Sequence, residues 1–326
     1  MGFFRWEVFL VLMTATFSFA VDFTSLSPSG LNSVSRHGPK VLIIGVGGGE
    51  LARIAMHLER AGFTVEICGT IGVPFLPDSP EKYRRWNAVI LGPLPKGARA
   101  FTQKQMQAIA EYVRTGGGIV FVGGMDSFSG ENGRAGYFGT PLAEVMPVDL
   151  KPGDDFVFRD EVPVPVADHP ILEGLPQNWS IIGERNRQQP RKGATVLVRF
   201  TDDPLLVIAE IGEGRSAALL TTWGWWSQRR FVLWEGFPKL WVNLVSWVGR
   251  VKPSPRKLDF EVTASDKPGC KIVKFNGRPM MVTSDGRTFY AFGTSVEGST
   301  LDFIARGAKW GFNLFHVWSN DPVDCT

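Results

Sequence analysis

The sequence is poor in the residues that build metal centres and disulfide frameworks. Its 326 residues hold three cysteines, Cys68, Cys270 and Cys325, and four histidines, His37, His57, His169 and His316. They are scattered, and no Cys-x-x-Cys pair occurs. Neither a structural zinc site nor a disulfide scaffold is expected, and no metal or cofactor is assigned. Charge of one sign is equally scarce. Thirty-five Lys plus Arg against 32 Asp plus Glu leave +3, which excludes the strongly basic character of a nucleic-acid binder. No apolar run reaches the roughly twenty residues that cross a bilayer as a helix. Apolar side chains are plentiful, at 44% of the chain with 12% aromatic. That is material for two domains with real cores.

The first twenty residues carry Arg5, an apolar run from Val8 to Phe19 and a small residue at Ala20. This pattern reads as a secretory signal peptide, predicting a secreted or periplasmic protein, or a membrane-anchored one if the segment is retained. Residues 21–38, rich in Ser, read as a linker.

Residues 39–250 alternate strands and helices. Lys40–Ile44 is a short apolar run ended by Gly45-Val-Gly-Gly-Gly49, as expected of a strand buried on both faces. Leu51, Ile54, Ala55 and Leu58 repeat at helical spacing up to Gly62. Phe63–Ile67, Ala88–Leu91 and Ile119–Val122 are the next strands. Thr102 is placed to cap a helix with Met106, Ile109, Ala110 and Val113 on one face. Thr195–Val198, Leu205–Ala209 and Ser216–Leu220 follow as strands, the last two as a hairpin about Gly212–Gly214. An apolar helix spans 237–248. The fold class is α/β, a doubly wound, mostly parallel, flavodoxin-like sheet. Ligands of such sheets sit beyond the carboxyl ends of the strands, which directs attention to Gly45–Glu50, Gly92–Leu94 and Gly123–Ser127.

The glycine run at 45–49 is not a dinucleotide fingerprint, because Glu50 stands where the third glycine belongs. No Lys-Ser/Thr follows for a phosphate loop. It is read as a turn with positive-φ positions that lets the first helix pack closely. Six of the eleven tryptophans lie between Trp223 and Trp247. A carbohydrate platform predicts Trp223, Trp225 and Trp226 exposed, whereas a packing role predicts them buried.

The blocks VLIIGVGGGE, NAVILG, GGGIVFVGGMDSF, GTPLAEVMPVDL, HPILEGLP and IGEGRSAALLTTWGW, in that order, make residues 39–250 resemble the glutamine amidotransferase-like family. This is a branch of the class I glutamine amidotransferase superfamily. In that superfamily's enzymes a Cys on the turn after a strand is the nucleophile, and a His with a Glu two residues beyond completes the site. The resemblance places Met125 near the nucleophile position. A thioether supplies no thiolate, and no His-x-Glu occurs late in the domain, where His169 is the last histidine before residue 250. The resemblance therefore implies a domain without the catalytic set, binding a carbohydrate, another small molecule or a protein partner. Glu50, Met125, Asp126, Ser127, His169 and Trp223 are the candidate ligand-binding residues. An alternative is a hydrolase in which Asp126, Ser127 and His169 converge. The plainer roles are a turn capped by Ser127, loop N–H groups satisfied by Asp126, and a loop pinned by the His169 ring.

Residues 251–269 read as a basic, proline-containing linker. In 270–326 a strand, the Asn276-Gly277 turn and a second strand precede a strand–helix–strand pattern ending at Val317-Trp318. This segment resembles the start of a glycoside hydrolase (β/α)₈ barrel. That resemblance implies an accessory N-terminal part of a glycoside hydrolase, lacking the catalytic carboxylates and completed by a further C-terminal domain. The alternative is a small α/β appendage.

Overall fold

The computed structural model describes residues 38–254 except 47 and 95–100, and beyond them the strands at 261–262, 271–275, 278–282, 293–297 and 314–318. The leader and most of the first linker lie outside the described residues.

The central sheet begins with β1 (Lys40–Ile44), β2 (Thr64–Cys68), β3 (Ala88–Leu91) and β4 (Gly118–Val122), all parallel. Helix α1 (Gly48–Ala61) links β1 to β2, α2 (Pro80–Tyr83) precedes β3, and α3 (Gln103–Arg114) links β3 to β4. Three paired elements follow: β5 (Val148–Asp149), β6 (Phe156–Glu161) and β7 (Val164–Pro165). Next come β8 (Ile182–Asn186), β9 (Gln189–Pro190), β10 (Thr195–Arg199), β11 (Pro204–Ile211) and β12 (Gly214–Leu219), then α4 (Trp225–Val232) and α5 (Phe237–Val248). The eight-stranded order is β2-β1-β3-β4-β12-β11-β10-β7. Strand β12 enters parallel to β4, and β11, β10 and β7 extend it antiparallel. The doubly wound, mostly parallel sheet is therefore present, with an antiparallel edge.

Both faces are covered, which is why the strands are near-continuous apolar runs. Leu42, Ile44, Val89, Leu91, Ile119 and Phe121 face the core shared with α3, while α1 packs with α5. Helix α3 starts in a capping box. The Thr102 hydroxyl accepts from Gln105 N at 3.2 Å, and Gln105 Oε1 accepts from Thr102 N at 2.9 Å. Each satisfies a donor left over at the helix start. The hairpin at Gly212 forms as expected, with φ +61 at that glycine.

Two small antiparallel pairs, β5 with β9 and β6 with β8, lie outside the main sheet. They come from 148–190, where no strands were expected.

The chain divides into two compact units, 1–256 and 257–326. The second contains β13 (Glu261–Val262), β14 (Lys271–Phe275) and β15 (Arg278–Val282) as an antiparallel sheet, and β16 (Gly293–Glu297) parallel to β17 (Leu314–Trp318). The hairpin about Asn276-Gly277 is thus formed. The helix of the expected strand–helix–strand pattern, which the sequence places at about 301–311, lies outside the described residues.

Candidate functional site

In the strand order, β2 lies on one side of β1 and β3 on the other, so the chain reverses direction of winding between β1 and β3. That switch point is the ligand crevice of doubly wound folds. Here the indole of Trp223, 2% exposed, fills it. A Cβ on Gly92 would lie 1.9 Å from Trp223 Cζ2, and one on Gly45 3.1 Å from the same atom. Trp241 of α5 backs the ring at 5.8 Å between centroids. Gly92 is therefore required by close approach of the indole, and Gly45 is favoured by it. The positive-φ explanation fails for it, since Gly45 is not among the glycines with positive φ. Glu50 stands in the first turn of α1, where the helix dipole favours a carboxylate. Its charge acts on Arg53, whose pKa burial lowers and Glu50 raises in part.

Beyond β4 the turn Gly123–Ser127 presents Met125 at 36% exposure. The Asp126 carboxylate does not serve loop N–H groups as expected. It pairs with Arg134 at 2.7 Å, and its backbone carbonyl accepts from Leu94 N at 3.0 Å. Ser127 does not cap a turn. It is buried at 4% exposure, and its hydroxyl has no hydrogen-bond partner among the described residues. It lines a cavity of about 10 Å³ with Gly92, Phe121, Phe128, Tyr137 and Met146, at the lower limit for one water.

The loop is held in place from below by polar groups that the sequence reading missed. Buried Asn186 accepts from Gly124 N at 2.8 Å and donates to Gly124 O at 3.2 Å, Ser127 O at 3.4 Å and Asp155 Oδ1 at 2.9 Å. The Asp155 carboxylate also accepts from Ser129 N at 3.2 Å, Gly130 N at 2.7 Å and the Gln188 amide. Burial pushes its carboxyl pKa up, and these donors pull it back. Over-determination of this kind holds Phe128 at φ +58, a left-handed conformation costing a non-glycine residue about 1–2 kcal/mol. Alternation of Asn186 and Gln188 in a polar stretch looks like a solvated face. Their burial comes from tertiary cover.

His169 is elsewhere. Its Nδ1 accepts from Ile171 N at 3.2 Å, capping the short turn that follows, as the plainer reading expects. Its ring packs edge-on against Trp247, with 5.3 Å between centroids. Arg215 lies over the same indole at 4.8 Å and donates to Trp247 O at 3.1 Å. Arg215 is register partner of Gly118, the first residue of β4. His169 therefore belongs to the amino edge of the sheet and Ser127 to the carboxyl edge. The length of β4, about 13 Å at 3.3 Å per residue, lies between those edges. Burial and the Arg215 charge lower the histidine pKa. The hydrolase alternative is overturned by this topology, because a general base must be within hydrogen-bond reach of its nucleophile.

The carbohydrate platform loses Trp223, which is buried. The side chains of Trp225 and Trp226 lie outside the described residues. No group of three or more His, Cys, Asp or Glu placed to hold a metal occurs among the described residues. None of the described helices is long and apolar enough to cross a membrane.

Residues 87–250 match the family model described as "Putative glutamine amidotransferase". No curated protein matches the chain in sequence. Among solved structures it is similar to cytoplasmic protein STM1381 from Salmonella typhimurium LT2, at TM-score 0.60 and 23% identity, covering 64% of this chain and 99% of that one. Cytoplasmic protein STM3548 from Salmonella typhimurium gives TM-score 0.58 and 26% identity over 64% and 98%. A "Putative thua-like protein" from Parabacteroides merdae gives TM-score 0.50 and 16% identity over 68% and 94%.

Proposed function

This chain belongs to the family of putative glutamine amidotransferases, and from that premise we propose that it is a non-catalytic member whose carboxyl-edge turn binds a small molecule or a partner protein. The observation that carries the reading is Met125 at the exposed turn after β4, where the resemblance places the family's nucleophile. Amide hydrolysis by that route needs a thiolate. The one cysteine among the described residues, Cys68, is buried at the end of β2, and burial pushes its thiol pKa up to about 12. Trp223 fills the switch-point crevice, so a ligand meets the outer surface of the turn, where Met125 and the Asp126–Arg134 pair are accessible.

An assay of glutamate release from L-glutamine tests this directly. The expected result is no turnover above the protein-free blank. Turnover that is lost on Ser127→Ala or Met125→Ala sinks the reading.

The leader supports export, as a secreted or periplasmic protein, on its own pattern alone. The two Salmonella relatives are both named cytoplasmic proteins, which lends export no support. Intact-mass measurement of the protein recovered from its native host decides the matter. A chain starting near Val21 is expected, and an uncleaved chain found in the cytoplasm excludes export.

A further inference from the structure

The antiparallel edge of the main sheet carries an exposed apolar stripe. Val162, Val164 and Val166 are 50%, 52% and 49% exposed. Val164 lies in β7, and the bond from Val166 N to Leu197 O carries the pairing with β10 on to 166. These two valines therefore share one face, with Val162 two residues before them. Ile182 is the register partner of Glu161, the last residue of β6, so the half-exposed Ile181 and Val162 both lie just past the end of that pair. A solvated face of an antiparallel strand ordinarily carries polar side chains. This one carries valines, alternating with Pro163 and Pro165.

The prolines say what kind of partner the edge excludes. Val166 N donates to Leu197 O on β10 at 2.9 Å. By alternation the backbone at 163 and 165 faces away from β10, and proline has no N–H to offer there. An added strand needs those donors. The edge is closed to strand addition, while its side-chain face stays open.

Val166 runs on into a groove of about 510 Å³ lined also by Leu172, Leu175, Trp179, Asp168 and Glu173. The groove is pre-formed. Trp179 packs on Trp234 at 4.6 Å, and Trp234 Nε1 donates to Asn178 O at 2.8 Å. On the other side Asn243 of α5 donates to Ile171 O at 2.9 Å and Glu173 O at 3.0 Å. Asp168 and Glu173 are the charged groups of the lining. Neither carboxylate forms an ion pair with a described residue, and both belong to exposed residues. The lining is thus part apolar and part polar, with two acidic groups, in a chain whose net charge is +3. A cationic partner gains nothing from the molecule as a whole and must find its attraction locally.

We propose that this groove docks a basic amphipathic helix of a partner protein. Its apolar side chains cover Val164, Val166 and Leu172, and its Lys or Arg side chains reach Asp168 and Glu173. The valine stripe is about 13 Å long at 3.3 Å per residue, the length of about two and a half helical turns. That span accommodates anchors at i, i+3/i+4 and i+7. The site is on unit 1 and is independent of the carboxyl-edge turn.

The test uses the full chain and a fluorescein-labelled peptide of about four helical turns, with Leu on one face and Lys on the other. Fluorescence anisotropy reads the binding. A rise with concentration is expected for the wild type, at least about tenfold weaker for Val164→Glu and for Asp168→Asn combined with Glu173→Gln. Both changes are at exposed positions, and unchanged urea unfolding verifies that the fold is intact. A peptide of the same pattern with Glu for Lys is expected not to bind. Equal binding of the Glu peptide, or of the Lys peptide to both variants, overturns the proposal. So does a wild-type dimer in sedimentation that Val164→Glu dissociates, because the face then belongs to a second copy of the chain.

Discussion

Replacing Gly92 by Ala is expected to destabilise unit 1 by about 3 kcal/mol or more, at the upper end of what overpacking costs. The added methyl falls 1.9, 2.2 and 2.9 Å from three atoms of the Trp223 ring, all below any van der Waals contact. The ring has little room to yield, since Gly45 lies against one edge and Trp241 backs it. Either β3 shifts against β1 and β4, or Trp223 leaves the crevice. Urea unfolding followed by tryptophan emission distinguishes the two: a lower midpoint with unchanged native emission indicates a strand shift, and red-shifted native emission indicates expulsion. Gly69→Ala is the control, because nothing lies within 4 Å of its added methyl and its φ of −74 suits any residue. A Gly92→Ala midpoint as close to wild type as that of the control shows that the indole does not fill the switch point.

Arg185→Met is expected to cost about 3–5 kcal/mol, the penalty for removing one member of a buried ion pair. Arg185 is 1% exposed, and its guanidinium lies 4.0 Å from the Phe200 ring centroid. It donates to Asp203 Oδ2 at 3.2 Å, Glu161 Oε2 at 3.0 Å and Arg159 O at 3.1 Å. Without it, the carboxylate of buried Asp203 keeps, among the described residues, only the exposed Arg187 at 3.2 Å. Lysine is no substitute, because a point charge cannot reproduce the planar fork. Arg185→Lys is expected to recover less than half of the loss in a urea titration. Glu161 adds a pH signature. Hydrogen bonds from Thr201, with smaller help from Arg185 and Arg159, hold its carboxyl pKa below the usual carboxylate value. Its contribution is present above the unfolded pKa and is lost as pH falls through the lowered folded pKa. The gap between wild type and Arg185→Met is therefore expected to narrow in acid. A gap below 1 kcal/mol at neutral pH contradicts the buried-pair reading.

Both effects sit where sequence and structure part company. Strands β1, β3 and β4 were legible because parallel strands covered on both faces become unbroken apolar runs, and α3 was legible because Thr102 and Gln105 lie three residues apart before an amphipathic repeat. The β6–β8 pair was not. Buried in it or just before it are Arg185, Asn186 and Asp155, residue types that read as solvated until distant chain covers and satisfies them. Glu161 and Arg185 are 24 residues apart, Asp155 and Asn186 31. No local spacing announces such partners.

The candidate site divides in the same way. The turn at Gly123–Ser127 and the absence of a thiol from it followed from the order of residues, since which chemistry Met125 can perform is a property of its side chain. Whether Ser127 has a base, and whether the crevice is open, depended on where remote segments return to the sheet. The sequence alone determined the doubly wound sheet and its thiol-free turn, because periodicity and functional groups are local. Only the tertiary structure decided that His169 joins the amino edge and that Trp223 occupies the switch point. Those outcomes rest on packing between residues some 50 to 180 positions apart, and side-chain burial at that range is set by the whole fold.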